Sequence, residues 1–101
     1  MNVELHHEAM VELEAAVDWY DDRRPGLGLE FELEIDAAMD RIEELPRAWP
    51  HWPGDDDFRV VRVHRFPYHL PYHIDGDRAV VMAIAHDKRR RGYWHERSAT
   101  P

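Results

Sequence analysis

The apolar run Ala83-Ile84-Ala85 stops at a histidine, a block of cations and an aromatic pair, in the order His86-Asp87-Lys88-Arg89-Arg90-Arg91-Gly92-Tyr93-Trp94. Such residue types move protons and stabilise anions. Histidine titrates near neutrality, so His86 is a proton-transfer candidate. Tyr93 is a second one, because cations favour phenolate and a tyrosine set among arginines is expected to have a lowered pKa. Arg89, with Arg62 and Arg65 at the end of an earlier strand-like run, supplies fixed positive charge for an oxyanion, and Arg90 adjoins them. A structural alternative stands beside this reading: His86 caps the strand, Tyr93 and Trp94 fold back over the core, and the arginines are solvated or pair with helix acids.

Other combinations exclude themselves. Cysteine is absent, which removes disulfides, thiolate catalysis and thiolate-bound zinc together, and fits a reducing cytoplasm. His69 and His73 share a strand face but lie about 13 Å apart in extended chain with Pro71 between them, so no shared metal is expected. Gly26 and Gly28 lack the following lysine and hydroxyl residue of a phosphate loop and read as a turn. No cofactor is implied.

These side chains need elements to position them. Val3 and Leu5 suit a short first strand. From Glu8 to Asp22, Met10, Leu13, Val17 and Tyr20 recur at helical steps, and Arg23-Arg24-Pro25-Gly26 ends that helix. Between Leu27 and Leu45, Phe31, Ile35, Ala38, Ile42 and Leu45 repeat at four, three, four and three, which predicts a second helix stopped by Pro46. The two form an antiparallel hairpin. Arg47 to Asp57 reads as an irregular connection pinned by Trp49 and Trp52. Three strands follow, Phe58–Phe66, Tyr68–Ile74 and Arg78–His86, the last two joined through Asp75-Gly76-Asp77. Ala79 to Ala85 is apolar at both parities, as in a central strand buried on each face. Pro71 demands an edge, a bulge or a break in the middle strand. The order predicts an α+β domain over residues 1–101: an N-terminal strand, then an α-helical hairpin packed on a mainly antiparallel sheet with a C-terminal three-stranded meander.

The 101 residues allow one core, and no stretch approaches the roughly 20 apolar residues of a membrane span. The net charge of −8 is unevenly spread: residues 1–57 hold 17 acids and 4 bases, residues 58–101 hold 4 acids and 9 bases. That asymmetry predicts one repelling face and one anion-seeking face. The overall repulsion disfavours tight nonspecific binding to a phosphate backbone, which strengthens with the number of phosphates neutralised.

Read with Arg65-Phe66-Pro67-Tyr68, Asp18-Trp19-Tyr20 and Pro25-Gly26-Leu27-Gly28, the final segment resembles the RelE/ParE superfamily of bacterial type II toxin-antitoxin toxins, over nearly the whole chain. The resemblance implies a cytoplasmic toxin held by a cognate antitoxin. Its RNA-cleaving branch acts on messenger RNA at the ribosome, with a ribose 2′-hydroxyl attacking the adjacent phosphate. For that reaction His86, Arg89 and Tyr93 are the expected catalytic residues, and Arg62, Arg65 and Arg90 the expected phosphate or target contacts. The ParE branch implies inhibition of DNA gyrase with no chemical step by the toxin. Two departures matter: Lys88 is the sole lysine, and Arg91 stands where many relatives have proline. Ribosome-dependent cleavage ranks first, gyrase inhibition second, and an inactive toxin-like binding module is the third reading.

Overall fold

The computed structural model of the chain describes residues 1–97; residues 98–101 of the expected domain lie outside the described residues. The elements are β1 (Asn2–Leu5), α1 (His7–Arg23), α2 (Leu27–Glu44), β2 (His51–Trp52), β3 (Asp55–Arg62), β4 (Tyr68–Asp75), β5 (Arg78–Val81), β6 (Ala85–His86) and a 3₁₀ turn at Tyr93–Glu96. The sheet runs β1-β5-β4-β3-β2, with β6 also beside β4. β1 lies at one edge, parallel to β5, and the remaining pairs are antiparallel. Two helices on a mixed sheet give the α+β architecture that the element order implies.

The buried His6 starts α1 by accepting the Glu8 N–H on its Nδ1 at 3.0 Å. Leu13, Val17 and Tyr20 of α1 pack on the core as their spacing requires, but in the first turn Ala9 is fully buried in place of Met10, which is 45% exposed. α2 buries Phe31, Ile35, Ala38 and Ile42 as their spacing requires, but Leu45 falls just past the helix end and is 60% exposed. The turn between the helices needs both of its glycines. Gly26 is left-handed at φ 91°, and a Cβ on Gly28 would come within 2.6 Å of the Val17 carbonyl and 2.7 Å of Asp21 Oδ1. Asp21 accepts the Gly28 N–H at 2.7 Å, which caps the second helix from the first.

Boundaries differ from the sequence expectation in three places, and the first is the strand expected at Phe58–Phe66, which stops at Arg62. The connection at Arg47–Asp57 contains β2 and the start of β3; Trp49 Nε1 donates to the Arg41 carbonyl and Arg59 donates to the Trp49 carbonyl. The expected single strand Arg78–His86 is broken into β5 and β6. Between the pairs Tyr72↔Val81 and His69↔Ala85, two residues of β4 face three of the last run, a one-residue bulge opposite Pro71. Proline offers no N–H there, although its carbonyl still accepts the Met82 N–H at 2.8 Å. The register slip accommodates the missing donor.

The sheet is covered on both faces. The helical hairpin packs on Val61, Leu70, Tyr72, Ala79 and Val81. On the other face Trp94, fully buried, folds back onto Phe58, Trp52, Val80 and Met82. This second core explains why Ala79 to Ala85 is apolar at every position.

Candidate functional site

The bulge leaves the Ile84 N–H outside the ladder, and Glu12 of α1 accepts it at 3.0 Å. The same carboxylate gathers much of the C-terminal segment. It accepts from Tyr93 Oη at 2.6 Å, from both terminal nitrogens of Arg97 at 3.0 and 2.8 Å, and from Arg89 at 3.3 Å. Burial pushes the Glu12 carboxyl up, but the hydrogen bonds from Arg97, Tyr93 and Ile84 outweigh it, so its pKa falls below the usual value. Tyr93 goes the opposite way from the sequence expectation. Burial and the bond to Glu12 raise its pKa, against the weaker pull of Arg89 and Arg97. A neutral phenol donating to a carboxylate is the stable state, although Arg89 lies 3.7 Å above its ring.

The expected cations are shared among several places. Arg89 and His86 line a groove of about 360 Å³ between α1 and the sheet, with Glu12, Ala16, Trp19 and Tyr68. His86 Nδ1 accepts the Lys88 N–H at 3.0 Å, and its ring meets Tyr68 edge-on at 4.9 Å. Arg65, in the turn between β3 and β4, has the left-handed φ of 71° and reaches α2, at 2.8 Å from Glu30 and 3.6 Å from Glu34. Arg62 lies toward the other face of the sheet, bound to Asp87 at 2.7 Å. Arg90 is exposed and has no ion pair among the described residues.

The face of the sheet away from the helices carries a cavity of about 470 Å³ lined by Trp52, Val60, Arg62, His69, Asp87 and Arg91, among others. Asp87 is its hinge: one oxygen binds Arg62 and the other lies 2.8 Å from His69 Nδ1. Burial raises the Asp87 pKa, and the hydrogen bonds from His69 and Arg62 more than reverse that. His69 stacks on Trp52 at 5.7 Å, and the Arg91 guanidinium lies 4.9 Å from the same indole. Arg89 borders both this cavity and the groove beside α1.

Sequence reasoning passed over Glu12, His69, Asp87 and Trp52. Glu12 had a signal, because Ala9, Leu13 and Ala16 share its helical face once alanine is counted as apolar. His69 and Asp87 had none, since 18 residues separate them and only the β4–β6 pairing brings them together. No group of three or more potential metal ligands occurs among the described residues. No helix of the described chain is long and apolar enough to cross a membrane.

Residues 3–91 match the family profile described as the ParE toxin of the type II toxin-antitoxin system, parDE. Among solved structures, the chain is similar to one titled "Chromosomal ParDE TA system from P. aeruginosa", with a TM-score of 0.75 and 18% identity. That likeness covers 85% of this chain and 95% of the other, and at this identity it speaks for the fold. No curated protein matches significantly.

Proposed function

Because the chain belongs to the ParE family of toxins from type II toxin-antitoxin systems, we propose that it acts by occupying DNA gyrase, without a chemical step of its own, until a cognate antitoxin covers it. The carrying observation is the engagement of the would-be catalytic groups by the chain's own carboxylates. Tyr93 and Arg89 are bound to Glu12, Arg62 to Asp87, and Arg65 to Glu30. A scissile phosphate would have to displace several carboxylates before any proton moved, in a protein whose net charge already repels a polyanion. A binding toxin needs only a fixed surface. In this reading Arg89 and Arg90 are contact residues at the cationic end, His86 and Arg62 border that surface, Tyr93 and Glu12 hold it in place, and Arg65 ties the β3–β4 turn to α2.

Purified chain added to a gyrase supercoiling reaction, and separately to ribosomes translating a defined message, tests the proposal. Supercoiling is expected to be blocked and the message to stay intact, with Tyr93→Phe retaining the block. Ribosome-dependent cuts that Tyr93→Phe abolishes while the variant stays folded would restore the nuclease reading. Inactivity of the folded protein in both reactions would favour the inert binding module.

A further inference from the structure

Lys88, Arg89, Arg90 and Arg91 follow one another on the exposed turn between β6 and the 3₁₀ turn. Hydrogen bonds fix this turn at both ends. The Asp87 N–H donates to the Pro67 carbonyl at 2.9 Å, and the Tyr93 N–H to the Arg90 carbonyl at 3.1 Å. Between them, the Lys88 and Arg89 N–H groups donate at 3.0 Å to Nδ1 and to the carbonyl of His86. A backbone already held in place has less freedom to lose when its side chains meet a ligand. The four cations are not equivalent. Arg89 turns inward to Glu12 and lies on the Tyr93 ring, so its charge is compensated. Lys88, Arg90 and Arg91 are exposed and have no ion pair among the described residues. Arg91 rests 4.9 Å from the Trp52 ring, a contact that leaves it without a counter-ion. Asp87, the acid of the segment, is held by Arg62 and His69.

We infer that this turn touches the phosphate backbone of duplex DNA, through Lys88, Arg90 and Arg91, when the protein is seated on gyrase. The inference deepens the proposed function and rests on it, since gyrase is what brings the duplex to the turn. Phosphates suit the turn better than an acidic protein segment does. Residues 87–91 carry no apolar side chain, and the buried centre of a protein interface is apolar, whereas a phosphate contact asks only for charge and N–H donors. The net charge of −8 is no obstacle to such a contact. Charges more than about 8 Å away are largely screened at physiological salt, so a phosphate placed against the turn senses these three cations first. Three contacts are too few to hold free DNA on an acidic protein, but they add to an affinity that gyrase supplies.

The test titrates the labelled full chain with gyrase alone and with gyrase saturated by a linear duplex, at low and moderate salt. The readout is the ratio of the two affinities, in which any contact of the turn with gyrase itself cancels. Three phosphate contacts, at a log–log slope of about 0.9 each, should make the wild-type ratio fall about fortyfold between roughly 50 and 200 mM salt. The variant Lys88→Gln/Arg90→Gln/Arg91→Gln, checked for folding by its thermal melt, is expected to lose both the gain from the duplex and its salt dependence. A charge-matched variant, Arg23→Gln/Arg24→Gln/Arg47→Gln, is expected to keep both. A wild-type ratio of one, equal losses in the two variants, or a loss in the first that is the same with and without DNA would each overturn the inference while leaving the gyrase reading intact. Failure of that reading looks different: the wild type then binds gyrase under neither condition, and both ideas fall together.

Discussion

Replacing Glu12 with alanine should be among the most damaging single changes in this chain. The side chain is 16% exposed and its main partner, Arg97, is 12% exposed. Alanine would leave that guanidinium without the carboxylate, the Ile84 N–H without an acceptor and the Tyr93 hydroxyl unpaired. Breaking a buried pair costs about 3 kcal/mol at the low end, appropriate where both groups keep some solvent contact. For a domain of this size that is a large part of a total stability of roughly 5–15 kcal/mol, and lowers Tm by roughly 15 °C. Glu12→Gln keeps an acceptor oxygen but loses the charge, and should cost about half as much. The pH dependence has a definite sign. The folded pKa of Glu12 is depressed, so its contribution is present above the unfolded carboxylate value and is lost as pH falls through the folded one. Urea unfolding of wild type, Glu12→Ala, Arg97→Met and the double variant, each at neutral and acidic pH, measures all of this. A coupling energy near zero in the cycle, or a low-pH limb that Glu12→Gln leaves unchanged, would refute the reasoning.

Gly28→Ala should destabilise by about 2 kcal/mol, because its Cβ has no room against the Val17 carbonyl and Asp21, and thermal unfolding reads this directly. Trp94→Ala should cost about 4 kcal/mol by emptying the second core, whereas Trp94→Phe should cost much less, since Trp94 Nε1 has no hydrogen-bond partner among the described residues; chemical denaturation of the pair separates volume from hydrogen bonding. Arg65→Gly should melt at a higher temperature than Arg65→Ala, because both lose the ion pairs to α2 and only glycine is relieved of the left-handed backbone. Alkaline titration of phenolate absorbance should lose one late-ionising tyrosine in Tyr93→Phe, and an early one would contradict the bond to Glu12.

The helical hairpin and the Gly76 turn were legible because periodicity and turn chemistry are local properties: Phe31, Ile35, Ala38 and Ile42 sit where their spacing places them, and Gly76 has the positive φ of 62° that its loop position demands. Pro71 signalled an irregularity without saying which strand would absorb it. The slip fell on the partner, at residues 82–84, because the apolar run there could gain a residue and stay buried on both faces. The site was harder to read. Its cations were visible as a cluster, but their partners Glu12, Glu30 and Asp87 come from distant or unremarkable positions, and the sign of the Tyr93 shift depended on burial together with the hydrogen bond to Glu12. Charge type is written in sequence, whereas charge pairing is a property of the folded chain.

The parallel ladder between β1 and β5 sets residues 2–5 against residues 78–81. During synthesis the first strand therefore emerges long before its neighbour β5 in the sheet, and the tail that Glu12 clasps comes later still. Closure of so long a loop is an unfavourable and slow step relative to formation of the hairpin. The nascent chain thus carries an unpaired first strand throughout the synthesis of residues 6–77, and acquires its finished cationic end only after Arg97 has been added.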